Sequence, residues 1–218
     1  MDKRCPYLLI SLVSVLLVYP YLLGRSSTEA LLVLLNATVV LTAIYAVRDT
    51  RRHLLTALAI GIPQLIVSWL NVVVTGGDFA IAQAVLTILF YGYALIRVLD
   101  YVLRGRDVTL DKIYGAAGVY LLMGYMWASC FDLVLTLQPD AFAMHGSRFP
   151  EATLAFRDLV HFSFVTLTSL GYGDITPVSD HARSLAFLEV IAGNLYMALL
   201  VARLVGAYRP QERAADAA

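Results

Sequence analysis

The sequence predicts an all-α membrane protein of six transmembrane helices, with a re-entrant half-length helix and a loop between the last two. Three observations predict it. Hydrophobic residues make up 60% of the 218 and charged residues only 15%, with a mean hydropathy of +0.74; a polytopic membrane chain needs that composition and a soluble one does not. Six apolar stretches can cross a bilayer. A seventh, Asp158 to Thr168, is too brief to cross and runs into a glycine-containing loop.

The spans are predicted at 7–23, 29–47, 54–74, 79–99, 113–136 and 185–206. Each is helical because lipid leaves no partner for an unpaired backbone group. The first is short and is expected to tilt little. Met1-Asp2-Lys3-Arg4 before an apolar run has the outline of a signal peptide, but Val18-Tyr-Pro-Tyr21 is a poor cleavage site, so a retained span is expected. Short loops fall at 24–28, 48–53, 75–78 and 100–112. The longer stretch 137–184 begins polar, with Pro139, Gly146 and Pro150, and then turns apolar for about three helical turns. The tail 207–218 is expected to be frayed and too short for a ligand-binding domain.

Composition also narrows the function. The net charge is zero, which gives no reason to expect nucleic acid as a partner. The four histidines and two cysteines are scattered, so no metal cluster and no disulfide framework is expected. No enzyme activity and no cofactor is expected. In a voltage-sensing helix every third residue would be basic, but 79–99 holds only Arg97, at its inner end. Asp100 and Arg104 follow at a spacing that favours an ion pair. Asn36, Asn71 and Gln83 are expected to hydrogen-bond between helices.

The loop after the short segment reads Thr166-Leu-Thr-Ser-Leu-Gly-Tyr-Gly-Asp174. Gly171 and Gly173 permit conformations that a Cβ resists. Alternating such conformations aims successive carbonyls at one axis, where four copies can replace the water shell of a monovalent cation. A hydroxyl of Thr168 or Ser169 can add oxygens at the inner end. This run resembles the selectivity filter of potassium channels, Thr-Val-Gly-Tyr-Gly-Asp. Here Ser169 and Leu170 stand for the first two residues, and Gly171, Tyr172, Gly173 and Asp174 match. The resemblance covers roughly Ala155 to Gly206.

The resemblance implies potassium ions, as permeant ligand, at the carbonyls of Ser169, Leu170, Gly171 and Tyr172. It implies filter support from the short helix at His161, Phe162 and Val165. Tryptophans often serve there, and a glutamate often stands where this chain has Val165. A fourfold ring of Asp174 would concentrate cations at the outer mouth. Gly193, 22 residues after Gly171, stands near the usual place of a hinge glycine. Asn194, Met197 and Val201 share a face at i, i+3 and i+7 and are expected to line the cavity. Glu189 lies about 140° around that helix from Asn194 and is expected behind the filter. It and Asp132 are ionisable groups inside spans, which usually face a partner or water. Arg183, His161 and Tyr172 are candidate partners.

With the filter opening outward, twelve of the sixteen basic residues fall on the inner side and four, Arg25, Arg148, Arg157 and Arg183, outside. Both termini are then cytoplasmic in a multi-pass cell-membrane protein, of prokaryotic inner-membrane type. One filter per chain requires three further copies, a homotetramer in membrane lipid. The expected organisation is 1–112, a four-helix region with its connector; 113–206, the pore domain; and 207–218, the tail. The expected function is passive, potassium-selective flux that is not steeply voltage-gated. The alternatives are a weakly selective monovalent cation channel and, with less support, a potassium-uptake transporter subunit.

Overall fold

The computed structural model describes residues 4–18, 26–48, 50–74, 79–105, 109–144 and 154–207. Seven helices follow in order: α1 Cys5–Val18, α2 Ser26–Val47, α3 Arg51–Val73, α4 Ala80–Leu103, α5 Leu110–Leu137, α6 Phe156–Leu167 and α7 Asp180–Ala207. By length and composition, α3, α4, α5 and the Asp180–Arg203 part of α7 are membrane-capable. Cys5–Val18 and Val33–Val47 are shorter apolar stretches. Among the described residues, four helices meet that standard where six spans were predicted. Residues 19–23 of the first predicted span and the tail 208–218 lie outside the described residues.

Local signals set several helix ends. Thr50 accepts from the His53 amide, and Thr109 from the Lys112 amide, each satisfying a donor that the first turn leaves open. Asp158 Oδ2 accepts from the Ala155 amide at 2.9 Å and closes the start of α6. Gly105, at φ +69, lets the chain turn out of α4. The helix runs on through Leu103, past the predicted end at 99, and so carries the predicted pair: Arg104 Nη2 lies 2.7 Å from Asp100 Oδ2, with Arg97 Nη1 3.1 Å from the same oxygen.

α5 is the central post. It packs against α4, α1, α6 and α7. Its small residues make this possible: an added Cβ at Gly115 would lie 2.9 Å from Val102, and one at Gly124 would lie 2.6 Å from the Phe164 ring. Tyrosines tie its neighbours to it. Tyr125 donates to the Leu12 carbonyl at 3.2 Å, and Tyr196 of α7 donates to the Ala116 carbonyl at 2.6 Å. Asp111 gathers three helices at the other end, because Oδ1 accepts from the Arg4 and Cys5 amides at the start of α1 and Oδ2 accepts from Tyr101 of α4. A carboxylate suits the positive end of a helix.

The amide residues expected as interhelical bonds make them. Asn71 Nδ2 donates to Gln83 Oε1 at 3.3 Å between α3 and α4, and Tyr91 of α4 donates to Asn36 Oδ1 of α2 at 3.0 Å. A two-stranded antiparallel ladder, β1 Phe142–Met144 with β2 Ile175–Pro177, was not foreseen. It clamps the segment after α5 to the segment after the glycine loop, and the Ala141 carbonyl accepts from the Val178 and Ser179 amides.

Candidate functional site: the loop between α6 and α7

α6 has 12 residues, or about 18 Å, roughly half the hydrocarbon thickness of a bilayer. It starts beside the end of α5 and stops against the middle of α7. There Gly193 has a packing reason for being glycine: a Cβ would lie 2.7 Å from the Leu167 carbonyl oxygen and 2.8 Å from Leu167 Cδ1. α7 is continuous through this point.

The loop that follows has a particular backbone. Ser169, Gly171 and Gly173 have φ of +60°, +60° and +75°, so positive values fall on every second residue. Its first residues are held by the last turn of α6. The Val165 carbonyl accepts from the Leu170 amide at 2.9 Å, and the Thr166 carbonyl from the Ser169 amide at 2.9 Å. Val165 thus meets the loop through its backbone while its side chain is buried. The Thr168 hydroxyl donates back to the Phe164 carbonyl at 2.6 Å. The Ser169 hydroxyl makes no such bond back to α6. Asn194 Nδ2 reaches it at 3.4 Å.

At the other end of the loop His161 Nε2 and Asp174 Oδ2 are 2.9 Å apart. The His161 ring lies parallel to Tyr172, with centroids 6.1 Å apart and planes 15° from parallel. His161 therefore braces both the ring and the carboxylate of the loop. Phe162 does something else. It turns into an aromatic cluster, edge-on to Phe131 at 4.9 Å and to Phe142 at 5.4 Å between centroids. That cluster supports the back of α6 near the strand pair.

Glu189 is fully buried. None of the three candidate partners reaches it. Ser163 does, on the face of α6 away from the loop: its hydroxyl lies 2.5 Å from Glu189 Oε1 and 2.7 Å from the Gly124 carbonyl. Sequence reading missed Ser163. The signal was an intramembrane carboxylate needing a partner and a small hydroxyl among the phenylalanines of α6. Asp132, the other intramembrane acid, has no side-chain hydrogen bond among the described residues and lines a cavity described below.

The loop is open on its far side. Every residue from Thr168 to Asp174 is exposed, Leu170 at 60% and Tyr172 at 68%. Along α7, Asn194, Met197 and Val201 are exposed, as are Phe187, Leu188 and Leu199. Apolar groups this exposed beside a glycine loop leave a face that a single chain does not cover.

A family model described as ion channel matches residues 119–209. The match takes in most of α5, the strand pair, α6, the loop and α7, and it identifies this part of a multi-pass membrane protein as ion-channel-like. No curated protein and no solved structure matches the chain.

Proposed function

We propose that the chain is one subunit of a homotetrameric, potassium-selective channel whose filter is the loop 168–174. The observation that carries this reading is the alternation of positive φ at Ser169, Gly171 and Gly173 in a loop whose side chains are uncovered. Alternation of this kind turns successive carbonyls toward one side, and four copies around an axis make stacked rings of oxygen. The Ser169, Leu170, Gly171 and Tyr172 carbonyls are the proposed ion sites, with the Ser169 hydroxyl at the inner end. α6 is the proposed re-entrant pore helix, and its C-terminal dipole faces the cavity centre. Asn194, Met197 and Val201 are proposed to line that cavity, and Gly193 to sit where α7 bends. His161 and Asp174 are the proposed outer brace.

Ser169 and Leu170 depart from the usual filter, so a weakly selective cation channel is the reading to test against. Purified protein is reconstituted into a planar bilayer with potassium on one side and sodium on the other. A large reversal potential toward the potassium equilibrium value is expected. A reversal potential near zero would assign the weakly selective channel instead.

A further inference from the structure

A cavity of about 410 Å³ lies among the four-helix region, α5 and the start of α6. Its walls come from the last turns of α3, the first turns of α4 and the last turns of α5. Asn36, Asn71, Gln83, Tyr91, Asp132 and Phe156 are among its lining residues, together with valines of α1, α2 and α3. The volume is that of a small-molecule site. Among the described residues that line it there is no lysine, arginine or histidine, and Asp132 is the one that can carry charge.

The polar groups are partly committed. Gln83 Oε1 accepts from Asn71, and Asn36 Oδ1 from Tyr91. The Asp132 carboxylate has no hydrogen bond or ion pair among the described residues. One turn along the same face of α3 from the lining residue Ser68, Gln64 is buried with both amide atoms unpartnered. A polar, partly unsatisfied pocket inside a membrane bundle is costly unless something occupies it.

We infer that this cavity binds a small organic ammonium ion, with the charged head on Asp132 and the apolar body between Phe156 and the valine wall. A carboxylate among neutral amides gives the head a charge-assisted hydrogen bond. Aromatic faces favour a cation over a neutral ligand of the same shape. An inorganic cation fits less well. It needs several free oxygens, and two of the amide oxygens are already taken. No cluster of three potential metal ligands occurs among the described residues. Phe156 is the first residue of α6, so an occupant would touch both the four-helix region and the helix that carries the glycine loop.

The test is binding, not conduction, so it stands apart from the channel reading. The full-length protein in detergent is titrated with benzylammonium and, separately, with benzyl alcohol, its neutral analogue, at matched salt and high potassium. Benzylammonium is expected to bind saturably and raise the melting temperature, and benzyl alcohol at the same concentration is not. Asp132→Asn is expected to weaken benzylammonium roughly tenfold or more, the loss of a charge-assisted bond, with an unchanged gel-filtration profile. If that variant does not fold, photolabelling of the wild-type protein with an azide derivative of benzylammonium decides the matter. Label on α3, α4 and α5 peptides supports the site. Label confined to α7, equal binding of the two probes, or full retention in Asp132→Asn overturns it.

Discussion

Ser169, Gly171 and Gly173 share positive φ, but only two of them are glycine. A left-handed conformation costs a residue with a Cβ about 1–2 kcal/mol, so Ser169 holds it only because neighbours do, through Thr166, Asn194 and the end of α6. At Gly173, with φ of +75°, an added Cβ would meet nothing of its own chain within 4 Å, so within one subunit a substitution there acts through the backbone. On the channel reading proposed above, Gly173→Ala is therefore expected to abolish potassium flux from loaded vesicles while the oligomer elutes as it does for the wild type. Ordinary flux in that variant would show that the conformation is dispensable. Glu189 makes the second case. A serine hydroxyl has one hydrogen, yet Ser163 stands at hydrogen-bond distance from two acceptors. Glutamine keeps an oxygen here for the Ser163 hydroxyl to donate to, and it fills the same volume. Glu189→Gln is expected to stay near wild-type stability and Glu189→Ala to lose about 2–4 kcal/mol, the cost of a buried gap and a lost hydrogen bond. Equal melting temperatures for the two variants would refute this network.

The two faces of α7 give the element its meaning. Asn194 is exposed and touches Ser169, while Glu189 is buried against α6. Helical period alone put these residues on different sides, which is why their separation was legible in the sequence. The partner of Glu189 was not legible, because it depends on how α6 is rotated against α7, and that is fixed by Gly124 and Gly193 letting Phe164 and Leu167 approach. The strand pair escaped notice for a related reason. Three-residue strands carry no periodic signal and exist only once both ends of the 137–184 stretch are brought together. Phe162 matched a filter-support position by resemblance, yet its packing partners come from α5 and β1. In a background without Cys5 and Cys130, a cysteine at 194 is expected to react with a small cationic thiol reagent from the cytoplasmic side and to reduce current. One at 189 is expected to stay protected. Ready modification at 189 with protection at 194 would mean that α7 is rotated from this arrangement in the membrane.

Across the whole molecule the question is what the first four helices contribute. Their layout invites comparison with a voltage sensor, and their chemistry argues against one. Moving one elementary charge through the membrane field is worth about 2.3 kcal/mol per 100 mV, so steep voltage dependence needs several such charges in every subunit. In α4 the basic residue is Arg97, near the C-terminal end, and it is already bound to Asp100 with Arg104 on the same carboxylate. Two arginines on one carboxylate leave a single net positive charge, so any displacement of α4 carries at most about one elementary charge across the field, fewer than steep dependence needs. Asn36, Asn71, Gln83 and Tyr91 instead bond in pairs between α2, α3 and α4 beside the Asp132 cavity. Opening is therefore expected to depend weakly on voltage, and Arg97→Gln is expected to leave the conductance–voltage slope nearly unchanged in bilayer recordings. A slope equivalent to several gating charges per subunit, lost in that variant, would show that α4 senses voltage after all.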